Sequence, residues 1–238
     1  MKAQFIGVGV GPGDPELITL KALRYIQNAD VISYLQSDQG YSQSKTIADQ
    51  ALSSASKQQL HIPVVISMGY DRGAANKVYD TAAHKIQNAI DDGKVVVFLC
   101  EGDPLFFGSF AYLLARLQVN NQCQVVPGIS SVHAASSALR QPLTVLQESF
   151  AVVSGRHTLE QILSALKNHD TVVIMKAGRS RQKVLSALTA SNRARDTTYL
   201  EYIGREKEYI ERDISVLQDG AGPYFSLFVV SRHNREIA

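Results

Sequence analysis

Short apolar runs alternate with amphipathic segments through the first half of the chain, and few folds accommodate that alternation. The run at residues 95–100, VVVFLC, is apolar throughout, as expected of a central parallel strand that is buried on both faces. Helical spacing of apolar residues follows each run. The strand-like runs lie at 5–10, 31–35, 61–67, 94–100 and 124–127. This succession of strand and helix predicts a parallel sheet covered by helices.

The second half of the chain has more predicted strands than helices. Helical spacing is convincing only at 159–168 and 181–190. Turn-like glycines separate the last three strands, which predicts antiparallel hairpins. The predicted strands are 150–154, 172–176, 198–203, 209–215 and 225–231. We therefore expect two α/β domains, residues 1–120 with a mostly parallel sheet and residues 121–238 with a mixed sheet.

Composition excludes several classes of protein. A chain of 238 residues that is 45% hydrophobic has enough apolar material for one large core or two smaller ones. A net charge of +2 is too small to indicate a nucleic-acid partner. No apolar run approaches the roughly 20 residues that cross a bilayer, and no secretory leader is recognisable, which predicts a cytoplasmic protein without a membrane partner.

Cysteine and histidine usage gives no sign of a metal site. Cys100 and Cys123 lie in apolar stretches and form no CxxC pair, so we expect two buried, reduced thiols. The six histidines form neither an H-x-H nor an H-E-x-x-H motif. We therefore predict no metal.

Two loops rich in glycine, proline and aspartate follow predicted parallel strands. The first is GVGVGPGDP at 7–15, and the second is EGDP at 101–104. Glycine allows a ligand to approach the backbone closely, and ligands of such sheets bind beyond the carboxyl ends of the strands. The glycine spacing fits neither G-x-G-x-x-G nor a P-loop. The loops therefore predict a small-molecule site of another kind.

Four motifs in one order resemble the tetrapyrrole methyltransferases of the uroporphyrinogen/precorrin type. They are GVGVGPGDPELITLKA (7–22), FLCEGDPLFFGSF (98–110), VVPGISS (125–131) and VIMKAGR (173–179). Within that family, the longer stretch CEGDPLFFGSFAYLLARL, the segment VYDTAAHKIQNAIDDGK and the ending PYFSLFVVS resemble the precorrin-2 or cobalt-factor II C(20)-methyltransferases. The resemblance covers essentially the whole chain.

The resemblance implies S-adenosyl-L-methionine as co-substrate, bound in a cleft between two α/β domains of a homodimer. The implied reaction is methylation of precorrin-2, or cobalt-factor II, at carbon 20 in cobalamin (corrin) biosynthesis. The family's cofactor contacts fall here on Pro12, Glu101, Gly102, Asp103, Phe106, Ser130, Ser131, Met175, Gly204, Pro223 and Tyr224.

Methyl transfer from a sulfonium to an electron-rich carbon needs no protein nucleophile. Alignment of the reactants is the enzyme's main contribution and is worth about 7–11 kcal/mol. A proton must leave the acceptor carbon afterwards, and Asp103, Glu101 and Tyr70 are the candidate bases. The carboxylates around a precorrin favour arginine and lysine partners. The candidates are Arg72, Arg156, Lys176, Arg179 and Arg205, and solvated surface charge is the alternative for each.

Two other functions stay open at the level of sequence. The same fold can methylate a different precorrin carbon, or an acceptor such as RNA, which would require a basic face. A module that binds S-adenosylmethionine without turnover would show the same motifs, because the family's contacts are largely with the backbone.

Overall fold

A computed structural model of the chain describes residues 5–66 and 72–232. The chain divides into two compact units, unit 1 up to Ser131 and unit 2 from Val132. This division lies beyond the expected boundary at residue 120, because the strand at Cys123–Val126 pairs with the first strand of the chain. Within the described residues, no helix is long and apolar enough to span a membrane.

Unit 1 contains a five-stranded sheet in which every pairing is parallel, as the sequence predicted. The strand order is β3-β2-β4-β1-β5. The strands are β1 Phe5–Gly9, β2 Val31–Gln36, β3 Leu60–Val65, β4 Val96–Cys100 and β5 Cys123–Val126. The helices are α1 Leu20–Asn28, α2 Gln43–Ile47, α3 Asp49–Ser53, α4 Arg72–Asp91 and α5 Phe110–Leu117, and α6 Ser131–Leu139 begins at the boundary.

The central strands of unit 1 are buried on both faces. Phe5 and Phe98 pack into a core with α4 and α5, whereas Val8 and Leu99 belong to a second core with α1 to α3. Because successive side chains of a strand point to opposite faces, both faces of β1 and β4 must be apolar. This explains the uninterrupted run VVVFLC. Each fully buried aliphatic or phenyl side chain contributes about 1.5–3 kcal/mol.

The predicted start of the first helix was wrong. The sequence placed it near Glu16, but the α-helix begins at Leu20, and the Thr19 hydroxyl accepts the N–H of Ala22 at 3.2 Å. Before it, the Asp14 carboxylate caps a short 3₁₀ turn over Pro15–Leu17. Side-chain caps set where a helix begins, and two caps in succession divide this segment.

Unit 2 contains a mixed five-stranded sheet, as predicted, in the order β6-β7-β10-β8-β9. The strands are β6 Phe150–Ser154, β7 Thr171–Met175, β8 Thr197–Glu201, β9 Tyr209–Glu211 and β10 Ser226–Ser231. The remaining helices are α7 Leu159–Asn168 and α8 Arg181–Ala190.

The expectation of consecutive hairpins holds only for β8 and β9. β10 does not pair with β9 but lies between β7 and β8, antiparallel to both. The reason is burial, since the first five residues of β10 are all buried whereas β9 is exposed or partly exposed. An apolar strand is covered best at the centre of a sheet, and the polar one takes the edge.

A buried arginine closes the α7 end of unit 2. The Arg193 guanidinium donates to the carbonyls of Leu166 (2.8 Å), His169 (3.2 Å) and Asp170 (2.8 Å). It also forms an ion pair with Asp196 at 2.7 Å. The last carbonyls of a helix lack partners within it, and this cation satisfies them.

Candidate functional site

Three loops of unit 1 emerge side by side. Because β4, β1 and β5 are parallel neighbours, the loops that follow them leave the sheet at the same edge. The first two loops continue to pair beyond the strands. The Val10 N–H donates to the Cys100 carbonyl at 2.9 Å, and the Gly102 N–H donates to the Gly11 carbonyl at 2.8 Å. The two Gly/Pro loops predicted from the sequence are therefore in direct contact.

Glycines are required where the three loops cross. A Cβ on Gly9 would lie 2.5 Å from Cα of Gly128 and closer still to the carbonyl oxygen of Gly102. A Cβ on Gly128 would likewise lie 2.7 Å from Cα of Gly9. Carbon atoms do not approach so closely without displacing the backbone. The main chains of the three loops therefore pack against each other directly.

Gly102 differs from its two neighbours because space remains on its side-chain side. A Cβ there would meet nothing nearer than Cα of Ser130 at 3.8 Å and the Ile129 carbonyl at 3.9 Å. Its φ of +64° also favours glycine. A ligand is able to approach the backbone at this point, and a side chain would occupy that space.

Asp103 connects the loop after β4 to the loop after β5. Its Oδ1 accepts the backbone N–H groups of Leu105 (2.9 Å) and Phe106 (3.1 Å), and its Oδ2 accepts that of Gly128 (3.1 Å). Both carboxylate oxygens thus hold loop backbone in place. As a base, Asp103 would have to accept a proton while its oxygens already accept three N–H groups.

The other unit 1 residues predicted to bind cofactor lie in or beside these loops. Pro12 and Ser130 are buried, Phe106 is half-buried, Ser131 begins α6, and Glu101 is exposed. Below the second loop, burial raises the pKa of the Cys100 thiol well above its usual range, and the nearby charges of Asp103 and Glu101 act in the same direction. Cys100 is buried as predicted, whereas Cys123 is partly exposed; both are free thiols.

Two predicted residues are not placed by the structure. Tyr70 lies outside the described residues, and Arg72 begins α4 without a described side chain. Over residues 5–66 and 72–232, no group of three or more His, Cys, Asp or Glu side chains is arranged to hold a metal ion.

Unit 2 has a comparable edge. The carboxyl ends of β6, β7 and β8 lie beside the start of β10, since Met175 pairs with Ser154 and Leu227, and Ser226 pairs with Glu201. Met175, a predicted cofactor contact, is therefore the last residue of a central strand. The four segments at this edge are 155–158, 176–180, 202–208 and 218–225.

Glycines also pack these segments together. The Gly222 N–H donates to the Gly178 carbonyl at 2.8 Å, and a Cβ on Gly178 would overlap the carbonyl oxygen of Pro223. The Gly155 N–H donates to the Met175 carbonyl at 2.7 Å. Sequence reasoning treated Gly222 only as part of a turn and did not single out Gly155 or Gly178. The available signal for these two was a glycine one or two residues after a predicted strand.

Two non-glycine residues at this edge have left-handed backbone. Lys176 has φ +54° and Tyr202 has φ +53°, and each is the first residue after a strand. Gly204, a predicted cofactor contact, follows with φ +74°. The left-handed conformation costs a non-glycine residue about 1–2 kcal/mol. Such strain is concentrated at functional sites.

Aromatic rings and an arginine lie beside these strained residues. The Arg205 guanidinium carbon is 3.7 Å from the centroid of the Phe225 ring, and Tyr224 packs edge-on against that ring at 4.9 Å. The Gly204 N–H donates to the Glu208 carboxylate at 2.8 Å. Pro223 is half-buried and Tyr224 exposed. This part of the edge therefore combines aromatic rings with a cation.

Four of the five predicted substrate-binding cations are at the same edge. Arg156 follows β6, Lys176 and Arg179 follow β7, and Arg205 follows β8. Arg156 and Arg179 are exposed, and the other two are partly buried. The Lys183 ammonium, in α8, donates to the His157 carbonyl in the loop after β6 at 2.6 Å. The sheet topology therefore brings to one edge four cationic residues that are far apart in the sequence.

The chain aligns over most of its length with several known proteins. It is 36% identical over 227 residues to the cobalamin biosynthesis protein CobIJ of Mycobacterium tuberculosis, covering 93% of this chain but only 44% of that protein. It is 32% identical over 232 residues to a precorrin-2 C(20)-methyltransferase of Sinorhizobium sp., covering 95% and 94% of the two chains. A cobalt-precorrin-2 C(20)-methyltransferase of Salmonella typhimurium is 25% identical over 236 residues, with 98% of each chain covered. The chain thus spans less than half of the mycobacterial relative.

Solved structures agree in fold. A uroporphyrin-III-C-methyltransferase of Thermus thermophilus superposes with a TM-score of 0.70 at 27% identity, covering 96% of this chain and 94% of that one. A second structure from that organism, complexed with S-adenyl homocysteine, has a TM-score of 0.67 at 23% identity, with 96% and 97% covered. The sequence profile of the tetrapyrrole (corrin/porphyrin) methylases matches residues 4–214. The chain belongs to this family of methylases.

Proposed function

We propose that this protein transfers a methyl group from S-adenosylmethionine to carbon 20 of precorrin-2, or of its cobalt-bound form, in cobalamin biosynthesis. The observation that carries the proposal is the 32% identity to a precorrin-2 C(20)-methyltransferase over 95% of this chain and 94% of that enzyme. A relative named as a cobalt-precorrin-2 C(20)-methyltransferase is covered to a similar extent. This supports methylation at carbon 20 whether or not the substrate carries cobalt.

The loop edge of unit 1 fits the cofactor. The open space beside Gly102 and the left-handed backbone of Gly102 and Gly11 allow a ligand to meet main-chain atoms. The proposed contacts are those predicted from the sequence: Pro12, Glu101, Gly102, Asp103, Phe106, Ser130 and Ser131 in unit 1, and Met175, Gly204, Pro223 and Tyr224 in unit 2. When bound, S-adenosylmethionine supplies an electrophilic methyl group.

The chain's own residues contribute position rather than covalent chemistry. Asp103 fixes three backbone N–H groups and thereby the shape of the loops after β4 and β5. Rigid loops hold donor and acceptor in line, which is the larger part of catalysis for an acceptor that is already electron-rich. Of the three candidate bases, Asp103 already accepts three N–H groups, and Glu101 lies at the same edge with its side chain exposed to solvent, which can carry the released proton away. Glu101 is therefore the base we favour among the described residues.

The cations at the edge of unit 2 match the carboxylate rim of a precorrin. Arg156, Lys176, Arg179 and Arg205 follow β6, β7 and β8 at one edge of the sheet, and we propose that each meets a different carboxylate of one ligand. Arginine and lysine bind carboxylates by charge-assisted hydrogen bonds. We further propose that the protein works in the cytoplasm and that it is a homodimer. Sedimentation at micromolar concentration tests the oligomeric state.

A second candidate function is methylation of another precorrin carbon. The chain is also 29% identical, over 189 residues, to a cobalt-precorrin-4 C(11)-methyltransferase of Methanocaldococcus jannaschii. That match covers 76% of this chain and 66% of that enzyme, less than the matches to the C(20) relatives, so the methylated carbon must be determined from the product.

 The third candidate function is binding of S-adenosylmethionine without turnover.

Anaerobic turnover tests the proposal. The purified protein is incubated with S-adenosylmethionine and either precorrin-2 or cobalt-factor II, and the product is analysed by mass and by NMR with a labelled methyl group. One added methyl at carbon 20 is the expected result, and the preferred substrate assigns the metal state. A methyl at another carbon would replace the proposal with the second candidate. Cofactor binding without any product would favour the non-catalytic reading.

A further inference from the structure

The loop after β4 presents large apolar side chains to solvent. Leu105 is 54% exposed and Phe107 is 41% exposed. The loop after β5 carries Ile129, which is 37% exposed, and the hydrogen bond from Gly128 to Asp103 joins the two loops. Exposed apolar residues gathered at one functional edge indicate a binding surface.

Phe107 is also held in an unfavourable backbone conformation. Its φ is +56°, in the left-handed region where glycine or asparagine would be more stable. The loop around it is tightly closed, because Asp103 accepts the N–H groups of Leu105 and Phe106, and a Cβ on Gly108 would overlap the Pro104 carbonyl. The Phe107 ring packs edge-on against Phe106 at 5.1 Å between centroids. The side chain is 41% exposed, so part of the ring is accessible to a ligand, and backbone strain of this kind is concentrated at functional sites.

We propose that Phe107, with Leu105 and Ile129, forms an apolar platform for one flat face of the tetrapyrrole, an inference that rests on the proposed function. A tetrapyrrole has a broad planar face of apolar character and carries its carboxylates at the rim. The aromatic ring stacks on such a face, and the two aliphatic side chains, which come from adjoining loops, extend the covered area. A purine is narrower than a surface contributed by two loops, so the macrocycle is the better match.

Equilibrium binding by variants tests the platform. The probes are uroporphyrin III, followed by its absorbance, and S-adenosylhomocysteine, followed by calorimetry. We expect Phe107→Gly to weaken porphyrin binding about tenfold, the equivalent of one lost aromatic contact, and to leave the affinity for S-adenosylhomocysteine within about twofold. Phe107→Tyr keeps the ring and should restore porphyrin binding.

Leu146 provides a matched control. It too is a non-glycine residue with left-handed backbone, φ +49°, and its side chain is 89% exposed. Leu146→Gly should therefore relieve the same kind of backbone strain while leaving both affinities unchanged. Both glycine variants should melt at or above the wild-type temperature, which separates loss of the ring from loss of the fold.

Two results would overturn the platform. Wild-type porphyrin affinity in Phe107→Gly would show that the ring does not contact the ligand. An equal loss of porphyrin and S-adenosylhomocysteine affinity would assign the ring to the cofactor. A wild-type protein that binds porphyrin but forms no carbon-20 product would overturn only the proposed function, whereas one that forms that product but binds porphyrin no more tightly than Phe107→Gly does would overturn only the platform.

Discussion

Gly102 combines left-handed backbone with open space, and each property has its own consequence. A substitution at this position strains the backbone whatever the surroundings, and it also fills the volume in which we propose that the cofactor meets the main chain. A glycine elsewhere that shares only the first property separates the two effects.

We expect Gly102→Ala to weaken S-adenosylmethionine binding by at least about tenfold and to lower stability by about 1–2 kcal/mol. Gly93→Ala is the control, because Gly93 has φ +79° and no atom within 4 Å of an added Cβ. It should show the same loss of stability with unchanged cofactor affinity. Calorimetric titration and urea unfolding measure the two quantities. Equal cofactor affinity in both variants would remove Gly102 from the proposed site.

Asp103→Ala should weaken S-adenosylmethionine binding about tenfold, because three backbone N–H groups lose a charged acceptor and the two loops separate. Asp213→Ala is the matched control, since that carboxylate also accepts a backbone N–H two residues on, from Ser215 at 3.0 Å, but in a turn of unit 2. Calorimetry on both variants is the measurement. Unchanged affinity in Asp103→Ala would contradict the positioning role.

At the scale of elements, the end of α7 depends on one distant residue. Arg193 satisfies carbonyl groups of α7 and of the segment that follows it, and it is 8% exposed. A neutral replacement leaves these carbonyls buried without a donor and leaves Asp196 without its cation.

Arg193→Ala should lower the free energy of unfolding by roughly 3 kcal/mol, as breaking a buried ion pair does. Arg193→Lys should recover little, because an ammonium group does not reproduce the fork geometry of a guanidinium. Arg195→Ala, two residues away and exposed, should change stability by no more than about 0.5 kcal/mol. Urea unfolding measures these free energies. Equal effects of the two alanine variants would show that the buried contacts of Arg193 do not contribute to stability.

For the whole molecule, each unit contains a carboxylate that contributes to acid sensitivity. Hydrogen bonds from Lys57 and from the Val95 N–H lower the pKa of Asp30 in unit 1. Hydrogen bonds from the Ser149 N–H and hydroxyl lower the pKa of Asp170 in unit 2. A lowered folded-state pKa means that the stabilisation is present above the ordinary value of 3.8 and is lost as the pH falls through the folded-state pKa.

We therefore expect Asp30→Asn and Asp170→Asn each to destabilise the protein at pH 7, by at most about 1 kcal/mol given their partial exposure. The difference from wild type should shrink as the pH falls below about 4. Asp219→Asn, in an exposed loop, is the control. Urea unfolding at a series of pH values is the measurement. A difference that grows on acidification would reverse the assigned direction.

Much of the architecture was predictable because it depends on local patterns. The apolar runs of β1 and β4 predicted a parallel sheet buried on both faces, and the helical spacing at 159–168 and 181–190 predicted α7 and α8 with their observed bounds. The order of the glycine-rich motifs predicted the family, since each motif is a short contiguous stretch. Local sequence determines these features because strand and helix periodicity, caps and turns involve residues only a few positions apart.

Other features were decided only by the tertiary structure. The position of β10 between β7 and β8 depends on which of two strands is better buried at the centre of the sheet. The hydrogen bond from Gly128 to Asp103 and the crossing of Gly9 with Gly128 join segments that are far apart in sequence. The left-handed backbone of Phe107 and Lys176 runs against their local preferences and is held by surrounding contacts. Periodicity carries no information about such long-range pairing, because the free energy that selects it arises only when the distant segments pack together.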